Sequence, residues 1–329
     1  MKRIRLLALV LASVLCLASA AAPAAAEEGK KLNIVTTIFP VYDWILQAAG
    51  GADHAEITLL LDSGVDLHSY QPTASDMLKI ASCDVFVYVG GESDKWVEDA
   101  LKGSVNPGRV VISLLDVLGE DVRTEELVEG MEHHGHEEDG NADEDHGHEE
   151  EEADEHVWLS LRNAQKLTSA IAARLAEADP DHAEAYTANA AAYCERLAAL
   201  DAQYAEVAGT SAYKTLLFGD RFPFRYLADD YGLAYYAAFS GCSAETEASF
   251  QTIVFLAQKV DELNLPAVLT IEHPKTRIAE TVVSTSQAKN AKILSMDSMQ
   301  SITAQDVTAG ANYLSIMECN LAVLKEALN

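Results

Sequence analysis

Two blocks of alternating strand and helix patterns, divided by one long helix, constrain this chain more than any other feature of its sequence. In the first block, apolar runs of strand length stand at Leu32–Ile38, Ala55–Leu61, Val85–Val89 and Arg109–Ser113. Helical patterns separate them near Val41–Ala49, Thr73–Ile80 and Ser93–Leu101. The second block places strands at Lys214–Phe218, Leu233–Phe239, Ala267–Ile271 and Ala291–Leu294, with helices over Phe224–Tyr231, Glu245–Asn264, Thr276–Lys289 and Ala304–Leu328. Strands that alternate with helices pair in parallel and carry helices on their faces, so the expected fold class is α/β with two lobes of parallel sheet. Between the blocks, Asp179-Pro180 opens a helical pattern that Gly209 closes, with Tyr186, Tyr193, Leu197, Leu200, Tyr204 and Val207 on one face. Roughly 28 helical residues span on the order of 40 Å. The lobes are therefore expected to be joined by one long rigid helix, with a cleft between them.

The start of the chain reads as a secretory signal rather than structure. Lys2, Arg3 and Arg5 precede an apolar run from Leu6 to Leu17, and Ala24-Ala25-Ala26 offers a small-residue cleavage site. Bulky Leu15 before Cys16 disfavours a lipid anchor there. No later stretch is long and apolar enough to span a bilayer, so the mature protein is expected outside the cytoplasm, in a periplasm or on the outer membrane face. The expected organisation is a signal over 1–26, an N-terminal lobe over 27–180, a connecting helix over 181–209 and a C-terminal lobe over 210–329. A net charge of −29 repels phosphate backbones and excludes nucleic acid as a partner.

One segment departs from the globular pattern. Residues 125–155 carry 16 acids, no Lys or Arg, and His133, His134, His136, His146 and His148. High like charge with few apolar residues predicts a disordered, solvated insertion. Imidazole beside carboxylate suits borderline metals such as zinc, so the insertion is expected to capture metal. Cys83, Cys194, Cys242 and Cys319 are scattered singly, without a C-x-x-C, which excludes a zinc ribbon and leaves any disulfide pairing open.

Ligands in open parallel sheets bind beyond the carboxyl ends of strands. The second strand of lobe one is followed by Asp66-Leu67-His68, and the insertion closes with Glu155-His156. In lobe two, Gly219-Asp220-Arg221, Glu272-His273 and Met296-Asp297-Ser298 follow the first, third and fourth strands. Histidine and carboxylate from both lobes thus face one cleft, a donor set for zinc or manganese and a poor one for copper(I).

Around His68 and His156 the chain resembles the substrate-binding proteins of zinc and manganese ABC transporters. The signature D-P-H-x-Y-E-P-T-x-S-D is matched by residues 66–76, departing at Leu67 and Gln71, with Ala74 at a variable position, and H-V-W-L-D-P-x-N-A by residues 156–164, departing at Ser160 and Leu161. The resemblance covers nearly the whole mature chain. It implies two α/β lobes, one metal in the cleft, two ligands from each lobe and a membrane permease as partner to a monomeric receptor. It carries ligand roles onto His68, His156 and Asp297. At the third position it meets Arg221, which cannot coordinate a cation. Asp220, one residue earlier, is the expected substitute, with Glu272 or His273 as alternatives.

The first functional reading is an exported zinc receptor for an ABC importer, with manganese the alternative metal and a zinc buffer or adhesin the alternative role. A zinc hydrolase is disfavoured, since neither H-E-x-x-H nor G-x-S-x-G occurs. The chain is not expected to be an enzyme.

Overall fold

Parallel strands covered by helices must be apolar on both faces. The inner strands follow that rule, β7 (Ala267–Thr270) being buried throughout, while the edge strands Ala55–Leu59 and Lys292–Ser295 are partly exposed. The computed structural model describes residues 31–132, 152–243, 247–272 and 276–329. Lobe one holds β1 (Leu32–Thr36), β2 (Ala55–Leu59), β3 (Val85–Tyr88) and β4 (Val110–Ser113) in the order β2-β1-β3-β4. Lobe two repeats the plan, with β5 (Thr215–Phe222), β6 (Ala234–Ser240), β7 and β8 (Lys292–Ser295) in the order β6-β5-β7-β8. Every pairing within these sheets is parallel. In each, the chain steps outward from its first strand and then crosses back over it. The switch points, between β1 and β3 and between β5 and β7, are where ligand crevices open at strand carboxyl ends.

Local chemistry sets the helix ends. After α1 (Phe39–Ala49) the chain turns at Gly50, whose φ of 71° is left-handed. Thr73 and Asp76 form a reciprocal capping box at the start of α2 (Ala74–Ser82). Two short helices, α3 (Val97–Lys102) and α4 (Leu114–Leu118), follow β3 and β4. Next comes α5 (Leu161–Ala178), absent from the sequence reading although Ser160 caps it and Leu161, Leu167, Ile171 and Leu175 make a buried stripe. The connector α6 (Ala183–Thr210) is 28 residues long, entered through a 3-10 turn at Pro180–His182. Lobe two adds α7 (Arg225–Tyr231), α8 (Phe250–Leu263) and α9 (Arg277–Thr285). The single helix expected over 304–328 is two, α10 (Ala304–Thr308) and α11 (Tyr313–Ala327). Gly310 at φ 99° breaks it and the Asn312 cap restarts it.

The connector is fastened at both ends. Tyr186, Tyr193, Leu197, Leu200 and Tyr204 of its expected face are buried, each contributing roughly 1.5–3 kcal/mol of burial. Tyr193 donates its hydroxyl to Asp43 Oδ2 on α1 (3.1 Å), and Tyr204 to the Met317 carbonyl on α11 (2.6 Å). The Tyr313 N–H, opening α11, also donates to Asp43 Oδ2 (3.2 Å). Connector and C-terminal helix thus converge on one buried carboxylate of lobe one.

Both ends of the acidic segment are placed in the fold. Residues 125–132 and 152–155 are placed, with the Glu125 N–H donating to the Glu152 carbonyl (2.8 Å) and Glu132 N–H to Ala238 O (3.0 Å). Backbone pairing of this kind satisfies groups that a wholly solvated loop would leave to water. The five histidines of the insertion lie outside the described residues, as does the signal with Cys16. Among the described residues no helix is long and apolar enough to cross a membrane. Cys83, Cys194, Cys242 and Cys319 are all free thiols.

Candidate metal centre

His68 sits in a one-turn 3-10 helix, Leu67–Ser69, which Asp66 starts by accepting the His68 N–H on Oδ1 (3.0 Å). His156 precedes another such turn, Val157–Leu159, and is fully buried. These turns bring the two rings together, centroids 5.0 Å apart and planes tilted by 56°. His68 Nε2 lies 3.1 Å from His156 Nε2.

The remaining nitrogen of each ring is already engaged. His156 Nδ1 lies 2.9 Å from Asp154 Oδ1, the same oxygen that accepts the His156 N–H. His68 Nδ1 lies 2.8 Å from Ser93 Oγ and 3.4 Å from Glu155 Oε2. Carboxylates in these places favour protonation of both Nδ1 atoms and leave both Nε2 lone pairs available to a cation. Glu155 reaches its place because Gly91, at φ 83°, has no Cβ; one there would stand 2.4 Å from Glu155 Oε1. Burial pushes the Glu155 carboxyl up, but hydrogen bonds from His68 and Ser93 outweigh it and hold the group below the usual carboxylate range.

Lobe two meets this pair differently from expectation. Strand β5 does not stop at Phe218 but runs on to Phe222, with a register shift against β6 between Phe218 and Arg221. The extension draws Asp220 into the sheet, where Oδ1 accepts the Arg221 N–H (2.9 Å) and Oδ2 the Ile271 N–H (3.3 Å). Arg221 reaches across the cleft to pair with Asp66 Oδ2. Burial works against ionisation of Asp66, yet the guanidinium and the His68 N–H keep its carboxyl below the usual range. Arg221 therefore steadies His68 through Asp66 instead of giving way to a ligand.

Asp297 turns its carboxylate to its own loop, where Oδ1 accepts the Met299 N–H (2.7 Å). Burial, with Glu272 nearby, pushes its carboxyl up to about 6. Glu272 is committed to the same loop, accepting from Ser298 N–H and Ser298 Oγ at 2.8 Å each. His273 lies outside the described residues. Among the described residues, the group whose donor atoms all fall within 4.8 Å of one another is His68, His156 and Cys242. Asp220 and Asp297 are not in it.

Sequence reasoning passes over Cys242 because the end of β6 offers no histidine or carboxylate, and a lone cysteine reads as a small apolar residue. Listing every residue beyond a strand end, Ser240-Gly241-Cys242 included, would have found it. In the metal-free site burial pushes its thiol well above the usual range, and the carboxylates of Glu125, Asp154 and Glu155 add to that.

Comparison with known proteins agrees with this architecture. Residues 34–327 match the family described as zinc-uptake complex component A, periplasmic. The chain is 36% identical over 326 residues to the zinc-binding lipoprotein AdcA of Streptococcus pneumoniae, covering 99% of this chain and 61% of that protein. It thus spans about three-fifths of that relative's length. To the high-affinity zinc uptake system protein ZnuA of Bacillus subtilis it is 32% identical, over 92% of this chain and 89% of that one. The crystal structure of the Zn(II)-bound ZnuA-like domain of S. pneumoniae AdcA superposes with a TM-score of 0.69 at 32% identity, covering 91% of this chain and 99% of that one. With its two parallel sheets, long connecting helix and match over 34–327, the chain belongs to the zinc-uptake complex component A family.

Proposed function

We propose that this protein is an exported, monomeric zinc receptor that hands its ion to an ABC-type importer in the membrane. What carries the reading is the pair of imidazoles, His68 and His156, whose free Nε2 atoms stand 3.1 Å apart while both Nδ1 atoms face carboxylates or hydroxyl. Two ring nitrogens so placed share a proton in the absence of metal or, with both Nδ1 atoms protonated, a metal cation between them. The zinc named in the AdcA and ZnuA relatives supports that identity for the ion, with manganese the lesser alternative. The insertion histidines serve as a weaker, auxiliary collection site, and no enzymatic step is proposed.

Metal analysis and calorimetry of the full mature chain test the reading. One tightly held zinc is expected, lost in the His68→Ala/His156→Ala double variant, with weaker sites remaining on the insertion. Unchanged tight binding in the double variant would overturn it. Release after residue 26 is the proposed fate of the leader; the word lipoprotein in the AdcA name favours instead a tether at Cys16. Mass spectrometry of the mature N-terminus separates the two.

A further inference from the structure

We propose that Cys242 is the third ligand of the cleft ion, so that lobe two contributes a thiolate where carboxylate was expected. The inference rests on the receptor reading and specifies its donor set. Its first support is position. Strands β5 and β6 run in parallel with Arg221 opposite Phe239 and Phe222 opposite Ser240, so Cys242 lies two residues past the last paired residue of β6. The lobe-two donor has moved to the neighbouring strand, and β5 presents a guanidinium in its stead.

The turn at Gly241 is shaped for this approach. A Cβ there would stand 2.9 Å from His156 Cε1, 3.0 Å from His156 Nδ1 and 2.9 Å from the Phe222 carbonyl. Only glycine lets the backbone lie so close to the ring, and the residue it delivers is Cys242. The Cys242 N–H donates to Glu125 Oε1 (2.9 Å), which pins the turn from the lobe-one side.

Distances and charge agree. Tetrahedral zinc, with Zn–N near 2.05 Å and Zn–S near 2.3 Å, sets ligand nitrogens about 3.3 Å apart and nitrogen from sulfur about 3.6 Å apart. The two Nε2 atoms are already at 3.1 Å, and a ring nitrogen of each histidine and the Cys242 sulfur lie within 4.8 Å of one another, so the thiol side needs to close by up to about 1.2 Å to give a three-ligand set. The pairing of Arg221 with Asp66 cancels their charges, leaving a thiolate as the anionic member of the set. Thiolate sulfur favours zinc and cadmium and disfavours manganese, so Cys242 also sets metal specificity.

Cobalt(II), added to the full mature chain, reports the ligand directly. The wild type is expected to show the near-ultraviolet charge-transfer absorption of a thiolate–cobalt bond, displaced by zinc or cadmium and not by manganese. Cys242→Ser, nearly isosteric, should keep one cleft ion, lose that absorption and bind zinc at least about tenfold more weakly. Far-ultraviolet circular dichroism confirms its fold, and Cys242→Ala provides a second check. A wild-type cobalt complex without the thiolate band, or a Cys242→Ser variant with wild-type zinc affinity, would overturn the inference while leaving the receptor standing. Failure of the receptor reading has a different signature: tight binding that survives loss of both His68 and His156.

Discussion

The two walls of the cleft are built on different principles. On the lobe-one wall, each imidazole is fixed twice, through its backbone N–H by Asp66 or Asp154 and through its ring by Ser93, Glu155 or Asp154. On the lobe-two wall, the carboxylates expected as ligands spend hydrogen bonds on their own backbone, Asp220 on Arg221 and Ile271, Asp297 on Met299. A carboxylate in a strand or tight turn is drawn to nearby N–H groups before it is free for a metal. Under the proposed receptor function, the contrast separates donors held for an outside ion from donors already used by the fold.

The largest effect should therefore come from lobe one. His156→Ala removes a fully buried donor and leaves Asp154 Oδ1 without its ring partner. Zinc affinity is expected to fall at least about a hundredfold, roughly 2.7 kcal/mol. Asp154→Asn keeps the ring but weakens its orientation, and a loss of about 10- to 100-fold is expected. Competition against a chromophoric chelator reads both. If His156→Ala cost less than threefold, the contrast between the walls would collapse.

How legible each wall was follows from the same difference. His68 lies in a 3-10 turn and His156 just before another, in strings dense with turn and cap residues, and the sequence reading singled them out with the help of a family resemblance. The strands and the connector were also readable, since apolar periodicity fixes them locally. Three features escaped. Helix α5 merges in pattern with α6, and only the Asp179-Pro180 step divides them. The extension of β5 through Gly219-Asp220-Arg221 runs against strand propensity and is imposed by pairing with β6. Cys242 acquires meaning only when the Gly241 turn is seen against His156. The first carried a local signal in its Ser160 cap and apolar stripe, whereas the other two are set by tertiary pairing.

A smaller effect is expected at the contact between the walls. Arg221 and Asp66 are paired with side chains only 10% and 15% exposed. Arg221→Gln leaves Asp66 without its cation, and a stability loss of about 3 kcal/mol is expected in denaturant titrations. Zinc affinity should drop about tenfold, because Asp66 Oδ1 also holds the His68 N–H. In the Asp66→Asn/Arg221→Gln double variant most of the stability should return, since neither charge is then left alone. A rise in zinc affinity in Arg221→Gln would instead mean that the guanidinium acts mainly by repelling the ion.

The smallest effect on metal, and the sharpest probe of the lobe-two wall, belongs to Asp297. Asp297→Asn retains an oxygen for the Met299 N–H and should change zinc affinity less than about threefold, whereas a true ligand would lose tenfold or more. Its effect on stability depends on pH. The folded carboxyl is pushed up to about 6 from 3.8 by burial first and Glu272 second. Below pH about 4 it is protonated in both folded and unfolded chains and contributes no difference. Between pH 4 and 6 the unfolded chain loses its proton while the folded one keeps it, so the folded state binds more protons and stability falls as pH rises. Above pH 6 the penalty is complete, on the order of 2–3 kcal/mol at most. Asp297→Asn removes that titration, so metal-free variant and wild type should differ little at pH 4 and most at pH 7, with the variant the more stable. Parallel denaturation curves for the two proteins across this range would show instead that Asp297 ionises freely, as a carboxylate waiting for a metal would.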